Sequence, residues 1–183
     1  MAKLVSAAGG ADLGVEVDLH TLSQDIEGDI VEYEPESYPA LYFRFEEDGA
    51  TVMLFSSGKY NIAGASSIKE LYETHQRLVE TISYMMDVEI DIDQECDLRN
   101  LVYTDDFGSN LRLEELVLLF GMENSEYEPE QFPALDYRPP DTGGLFKIFR
   151  TGKITLTGVT DPTKAEHAFE SLFDTLDQTI ESD

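Results

Sequence analysis

An internal repeat at a constant offset of 94 residues constrains this chain more than any other feature. The segment EYEPESYPAL at 32–41 recurs as EYEPEQFPAL at 126–135. Between residues 32 and 64, 14 of 33 positions are identical to their counterparts, and no insertion is needed. Shared local propensity does not produce identity at this level, so the chain is a tandem duplication. We predict a first repeat at residues 1–93 and a second at residues 94–183.

Each repeat has the pattern of an α+β unit. In the first repeat, residues 18–27 read as a short helix with Asp18 as N-cap. Alternating runs at 40–45, 51–55 and 60–63 predict three antiparallel strands, and a stripe of period 3.6 predicts a long helix after Ser66. The alternation at 88–93 predicts a strand leading into the second repeat. The Gly/Ala-rich stretch at 7–11 forms strands weakly, so we expect a frayed edge there.

The composition is strongly acidic. The 38 Asp and Glu against 12 Lys and Arg give a formal net charge of -26, spread along the chain. An ordinary solvated acidic surface is one interpretation. A halophilic cytoplasm with molar KCl fits better, because the Debye length falls to about 3 Å there and screens the repulsion. A single cysteine, Cys96, excludes internal disulfides and multi-Cys zinc sites. We expect neither a membrane span nor a secretion signal, and hence a cytoplasmic location.

Two doubled motifs and one single run make the chain resemble the TATA-box-binding proteins, the general transcription factors of archaea and eukaryotes. These motifs are Tyr-Glu-Pro-Glu-x-aromatic-Pro, Phe-x-[Ser/Thr]-Gly-Lys followed by a strand and Gly, and the run RNLV at 99–102. The resemblance covers about residues 6 to 180, and the acidity indicates a haloarchaeal type with a divergent first repeat. It implies a saddle with pseudo-two-fold symmetry: a curved antiparallel sheet lies in the DNA minor groove, and helices cover the convex face. Proteins of this family kink DNA by about 80°, a value that belongs to the family and not to this sequence.

The resemblance also implies four aromatic wedges. The family's four wedge phenylalanines fall on Tyr38, Phe55, Phe132 and Phe149. A flat ring inserted between base pairs replaces part of the lost base stacking. Tyr38 keeps the ring but adds a hydroxyl, which needs water or a phosphate. Phe55 and Phe149 lie in alternating strands, so core packing is the alternative interpretation for them.

Contacts to bases and phosphates follow from the same resemblance. Positions that meet base edges or the groove floor fall on Asn100, Thr157 and Val102. Positions that meet phosphates fall on Arg44, Arg138, Lys59, Lys153 and Ser57, with Thr151 equivalent to Ser57.

The first repeat departs from the family's readout set. Where the family has asparagine, valine and threonine, this chain has Ser6, Ala8 and Ala63. A family leucine that flanks a wedge is Met53 in the first repeat and Lys147 in the second. The second repeat keeps its set of base-contacting residues, Asn100, Val102 and Thr157.

The resemblance to TATA-box-binding proteins also implies binding partners. Glu128 and Glu130 match the acids with which the family's second repeat contacts transcription factor B; a solvated turn is the alternative interpretation. The expected partners are therefore TATA-box promoter DNA, transcription factor B and the RNA polymerase pre-initiation complex, with one copy of the chain on DNA. No cofactor, metal or membrane is expected.

Two other functions stay open at this point. A divergent paralogue would keep the fold and the factor-B surface but bind DNA weakly or with altered preference, as the departures in the first repeat suggest. A small enzyme is the other class. His20, His75 and His167 are isolated in sequence, and no nucleophile motif or phosphate loop accompanies them, which argues against catalysis.

Overall fold

The computed structural model describes residues 1–91 and 95–180, and at residues 179 and 180 it describes the backbone only. In chain order, its elements are β1 (Lys3–Asp12), α1 (Leu19–Asp25), β2 (Ile30–Tyr33), β3 (Ala40–Arg44), β4 (Thr51–Phe55), β5 (Lys59–Ala65), α2 (Ile68–Met86), β6 (Asp97–Asp106), α3 (Leu113–Phe120), β7 (Ser125–Glu126), β8 (Ala134–Tyr137), β9 (Leu145–Phe149), β10 (Lys153–Val159) and α4 (Pro162–Ile180).

Internal contacts divide the chain into two compact units. The first unit is Ser6–Arg99, and the second unit is Met1–Val5 together with Asn100–Asp183. In the first unit the strands are ordered β2-β3-β4-β5-β1, and in the second they are ordered β6-β10-β9-β8-β7. The paired strands of each unit run antiparallel. The same succession of elements thus occurs twice, and the predicted α+β class is confirmed.

The helices cover one face of the sheet in each unit. Along β4 and β9, buried residues alternate with half-buried ones. The buried side of the sheet faces the helices: on β5 the Tyr60 hydroxyl lies 2.5 Å from Nδ1 of His75 on α2, and on β9 the ring centroid of Phe146 lies 5.2 Å from that of Phe169 on α4. Because successive strand side chains point to opposite faces, the alternate residues point away from the helices. We call that side of each unit its open face.

Local signals explain the helix boundaries. Asp18 caps α1 by accepting hydrogen bonds from the backbone N–H groups of His20 and Thr21. Ser67 caps α2 by accepting from the N–H of Glu70. Both helices begin where the sequence predicts them.

Two expectations about strands were wrong. Residues 88–91 form no strand, and β6 begins only at Asp97; residues 92 and 93 lie outside the described part of the chain. The stretch at 7–11 is not frayed, because it lies within β1 and pairs with β5. Its small residues are needed for close packing: a Cβ on Gly9 would lie 2.6 Å from the Asp97 carbonyl oxygen and 3.1 Å from Leu71 Cδ2. Weak intrinsic propensity is overridden by that packing.

Within residues 1–91 and 95–180, none of the helices combines the length and the apolarity that a membrane span requires.

Candidate nucleic-acid interface

A tight turn holds the first aromatic wedge position in each unit. In the first unit, the backbone N–H of Tyr38 donates to the carbonyl oxygen of Glu34 at 2.9 Å. In the second unit, Phe132 makes the same bond to Glu128, also at 2.9 Å. Tyr38 and Phe132 are 44% and 45% exposed, which is unusual for large aromatic side chains. The doubled Glu-Pro-Glu turn therefore presents one ring in each unit to solvent.

The second wedge position of each unit lies beside the first. The ring centroids of Tyr38 and Phe55 are 6.2 Å apart, and those of Phe132 and Phe149 are 6.1 Å apart. Phe55 and Phe149 end β4 and β9 and are half-buried on the open face. The two phenylalanines are not packed in the core, because the buried residues next to them on β4 and β9 fill it.

The Tyr38 ring lies beside that of Tyr42 as well as that of Phe55. The centroids of the Tyr38 and Tyr42 rings are 5.5 Å apart, with an interplanar angle of 44°. Burial, together with the neighbouring Tyr38 side chain, raises the pKa of Tyr42 above its ordinary value of 10.0. The wedge position of the first unit thus belongs to a cluster of three aromatic rings.

Glycines close the hairpins that follow Phe55 and Phe149. Gly58 and Gly152 donate their N–H groups to the carbonyl oxygens of Phe55 and Phe149, each at 2.9 Å. Their φ values are 87° and 90°, and a Cβ at Gly58 would lie 2.2 Å from a backbone oxygen of Val15. Only glycine fits such a position without strain.

Lysine and hydroxyl side chains lie in these hairpins, whereas Arg44 and Arg138 lie near the opposite ends of β4 and β9. The side chains of Lys59, Lys153, Ser57, Thr151 and Arg138 are exposed. Arg44 is engaged within the first unit, since its Nε donates to Thr51 Oγ1 at 2.8 Å and its Nη1 donates to the Glu47 carbonyl oxygen at 3.1 Å.

The amide of Asn100 is oriented by its neighbours. Its Oδ1 accepts the N–H of Gly158 at 2.7 Å and the hydroxyl of Thr157 at 3.3 Å. Because a backbone N–H can only donate, the oxygen must face Gly158, and the NH₂ group becomes the end available to donate elsewhere. Val102 lies two residues along β6 on the same open face and is half-buried.

The first unit has a different arrangement at its corresponding strands. Ser6 and Ala63 supply no amide, but Arg99 Nη1 donates to Oδ1 of Asn61 at 2.5 Å. These two groups lie above Gly10, where a Cβ would approach each of them to 2.9 Å. An arginine and an asparagine therefore lie side by side in the unit that lacks the family's asparagine.

Comparison with known proteins identifies the family. The chain matches the family described as "Transcription factor TFIID (or TATA-binding protein, TBP)" twice, at residues 1–85 and 95–179. The chain belongs to the TATA-binding protein family. It is 36% identical over 168 residues to TATA-box-binding protein C of Halobacterium salinarum, which covers 92% of this chain and 93% of that protein. It is also 34% identical over 166 residues to TATA-box-binding protein 1 of Haloferax volcanii, covering 91% of this chain and 86% of that one.

A solved structure gives the same result. The fold is similar to that of Methanococcus jannaschii TBP, with a TM-score of 0.83, 30% identity and coverage of 97% of this chain and 98% of that one. The predicted resemblance to TATA-box-binding proteins of haloarchaeal type is thus confirmed, and the family is one of transcription factors rather than enzymes.

The acids expected to contact a protein partner are exposed. Glu128 and Glu130 lie in the turn before Phe132, and the Glu128 carboxylate accepts a hydrogen bond from the Gln131 side chain. The turn is braced by Arg150, whose Nη2 donates to Glu114 at 2.6 Å and to the Tyr127 hydroxyl at 3.4 Å. A hydrogen bond from its own backbone N–H and another from Arg150 lower the pKa of Glu114.

The histidines have local roles. His75 is buried against Tyr60, His20 Nε2 lies 3.2 Å from Gln24 Nε2, and His167 Nδ1 lies 3.3 Å from Glu170 Oε2. Among the described residues, no group of three or more His, Cys, Asp or Glu side chains is placed to hold a metal ion.

One interaction on the open face was missed from the sequence. Lys147 Nζ contacts both carboxylate oxygens of Asp136, at 2.8 and 3.0 Å. From sequence, Lys147 is a departure from the family's leucine with no identified partner. The hairpin register pairs Asp136 with Lys147, and that register was the signal available.

Proposed function

We propose that this chain is a general transcription factor that binds promoter TATA-box DNA through the minor groove, bends it and recruits transcription factor B. The observation that carries the proposal is the pair of equivalent aromatic clusters, Tyr38 with Phe55 and Phe132 with Phe149, one on the open face of each unit. Family membership supports the choice of DNA as the ligand.

The aromatic pairs suit insertion into a base step. Each pair offers two adjacent rings, one of which is already more than two-fifths exposed. A ring stacked against a base is worth about 1–3 kcal/mol, which offsets part of the cost of unstacking. Insertion at two steps, one per repeat, would kink the duplex twice.

Base readout is expected mainly from the second repeat. An A·T pair presents only acceptors in the minor groove, so a reader must donate. The orientation of Asn100 leaves its NH₂ group to do this, with Thr157 and Val102 beside it on the open face. Arg44, Arg138, Lys59, Lys153 and Ser57 would meet the phosphates, as the family pattern implies.

Net charge sets the conditions for binding. A protein of charge -26 is repelled by DNA at low salt. In molar KCl the repulsion is screened, and the release of counterions, which normally drives binding, is nearly lost. Binding then depends on wedges, base contacts and release of water from the groove. We therefore expect affinity to increase with KCl concentration.

Protein partners complete the proposal. Exposed Glu128 and Glu130 would contact transcription factor B and thereby bring the RNA polymerase pre-initiation complex to the promoter. The chain would act as a monomer on DNA, in the nucleoid of the cytoplasm. The boundary between its two repeats would lie between residues 93 and 94, as the 94-residue offset predicts.

The test is bending of a donor–acceptor-labelled TATA duplex, titrated from low to molar KCl beside a scrambled duplex. We expect bending that appears at high salt and favours the TATA duplex. Absence of bending at every salt concentration, with the protein shown to be folded, would overturn the proposal. An isotherm that weakens steadily with salt would overturn only its electrostatic part.

The second candidate is a paralogue that acts mainly through protein partners. Ser6, Ala63 and the Asp136–Lys147 ion pair favour it, because they alter the open face of both repeats. Factor-B binding by a chain that does not bend DNA would support this candidate.

A further inference from the structure

An ion pair lies on the open face of the second unit, beside an aromatic wedge. Asp136 on β8 and Lys147 on β9 are directly opposite each other in the sheet register. Their side chains are 29% and 35% exposed. Lys147 Nζ also lies 4.9 Å from the centroid of the Phe132 ring. Two opposite charges are therefore fixed next to the ring that we expect to enter a base step.

The first unit has an uncharged pair at the equivalent place. An offset of 94 residues relates Tyr42 to Asp136 and Met53 to Lys147, and Tyr42 is likewise opposite Met53 in the register. An aromatic–thioether pair in one repeat thus corresponds to a carboxylate–ammonium pair in the other. The backbone is equivalent, and only the side-chain chemistry differs.

Fold stability is a weak explanation for the charges. Ion pairs that keep about a third of their side-chain surface in water contribute little net free energy. On the open face, by contrast, the hydrogen-bonding capacity of the pair is directed toward whatever binds there. The ammonium has three donors and contacts both carboxylate oxygens, while the carboxylate has about four lone-pair positions. Donor and acceptor capacity both remain after the pair has formed.

Only a G·C pair presents both acceptors and a donor in the minor groove, and so matches the donor and acceptor capacity of the ion pair. A·T and T·A pairs present acceptors alone, whereas a G·C pair adds the N2 amino group of guanine as a donor. A carboxylate can only accept, so it gains a partner at G·C and faces other acceptors at A·T. The neighbouring ammonium can donate to the N3 and O2 acceptors of the same pair.

We propose that Asp136 and Lys147 form a subsite that selects a G·C pair in the minor groove, within one or two base pairs of the step opened by Phe132. This inference rests on the proposed minor-groove binding. The position follows from the 4.9 Å between Lys147 Nζ and the Phe132 ring, compared with a rise of about 3.4 Å per base pair. The preferred site is then a TATA-like sequence with one G·C pair on the side of the second repeat.

The test adds or removes the N2 amino group at each base pair of the DNA site in turn. Binding of the full chain is measured in molar KCl to duplexes in which each pair in turn is A·T, G·C, inosine·C or 2,6-diaminopurine·T. Inosine lacks the N2 amino group of guanine, and diaminopurine adds it to adenine. At one position we expect G·C and diaminopurine·T duplexes to bind about tenfold more tightly than inosine·C and A·T duplexes.

Transplanting the equivalent pair provides the matched controls. Asp136→Tyr with Lys147→Met places the first repeat's residues in the second, and should abolish the preference for the amino group while DNA binding persists. Tyr42→Asp with Met53→Lys should create a second position with that preference. If the first double variant does not fold, Asp136→Asn, which alters only the carboxylate, should reduce the preference severalfold.

The outcomes separate this inference from the proposed function. Binding of the A·T duplex with no gain from an N2 amino group at any position overturns the subsite alone. A gain that survives the Asp136 and Lys147 substitutions also overturns it. Failure to bind any duplex at any salt overturns the proposed function, and the subsite with it.

Discussion

The backbone N–H of Gly158 donates to Oδ1 of Asn100 at 2.7 Å, and this bond determines which end of the amide is presented. Asparagine carries a donor and an acceptor at opposite ends of one group, so its use in readout depends on its orientation. With the oxygen engaged by Gly158, the NH₂ group is left for the acceptors of an A·T minor groove.

Asn100→Asp should therefore reduce affinity for a TATA duplex by about 1–3 kcal/mol, measured by fluorescence anisotropy in molar KCl. The carboxylate can still accept from Gly158 and Thr157, but it has no donor for the bases. Asn110→Asp makes the same change of charge at an exposed loop residue and should have little effect. Equal losses in both variants would mean that charge, and not the amide, is responsible.

The second prediction concerns the wedge at the end of β9. Phe149→Ala should abolish most of the bending signal and weaken binding by about 1–3 kcal/mol, because the ring no longer replaces base stacking. Tyr84→Ala removes a ring that is 88% exposed on α2 and should leave bending unchanged. A thermal melt of each variant shows whether the fold is retained. Full bending by the Phe149 variant would remove this residue from the wedge set.

Restoring the family residues in the first repeat should strengthen binding. Ser6→Asn with Ala63→Thr supplies an amide and a hydroxyl that correspond to Asn100 and Thr157. Gly64 has a φ of 81° and Gly158 one of 84°, so an equivalent backbone N–H is in place to orient the new amide. We expect about tenfold higher affinity for a TATA duplex in the same anisotropy assay. Unchanged affinity would show that the first repeat does not read bases at this position.

The doubled turn gives a matched pair for testing partner binding. Glu128→Arg should abolish binding of transcription factor B, measured by gel shift on a TATA duplex, while binding of the duplex alone is kept. The reason is that an exposed carboxylate is replaced by a cation in the partner surface. Glu34→Arg makes the same change at the equivalent residue of the first repeat and should leave factor-B binding intact. If both variants behave alike, the acids of the second repeat have no special role.

A further prediction concerns acid stability at the start of α2. The Glu70 carboxylate accepts from the Ser66 N–H at 2.7 Å, the Ser66 hydroxyl at 2.5 Å and the Ala50 N–H at 3.2 Å. Burial raises the pKa of Glu70, but these hydrogen bonds outweigh burial and hold the pKa below its ordinary value of 4.5. Since the folded-state pKa is the lower one, the carboxylate stabilises the fold above pH 4.5, and this stabilisation is lost as pH falls through the lowered pKa.

Glu70→Gln should accordingly lower the Tm at neutral pH, and the difference from the unsubstituted protein should shrink as the pH falls below 4.5. Glu73→Gln, at an exposed residue paired with Lys69, serves as the control at constant KCl. A difference in Tm that is independent of pH would contradict the assigned role of the carboxylate.

Much of this protein could be predicted from sequence because the relevant signals are local. The repeat, the hairpins around Gly58 and Gly152, and the capping residues Asp18 and Ser67 each depend on residues close together in the chain. The Glu-Pro-Glu turns and the aromatic residues that follow them are equally local. Turn chemistry and alternation were sufficient to place these elements, and the doubling of each motif removed most of the ambiguity.

Tertiary structure decided what depends on residues far apart in sequence. Propensity predicted a frayed segment at 7–11, but close packing of Gly9 against Asp97 and Leu71 makes it part of a strand. The orientation of the Asn100 amide comes from residue 158, and the ion pair of Asp136 with Lys147 comes from sheet register. Composition and periodicity carry no information on such contacts, since each is set by two segments that meet only when the sheet forms. The sequence by itself thus determined the duplicated α+β fold, and the chemistry of its open face was decided by the folded chain.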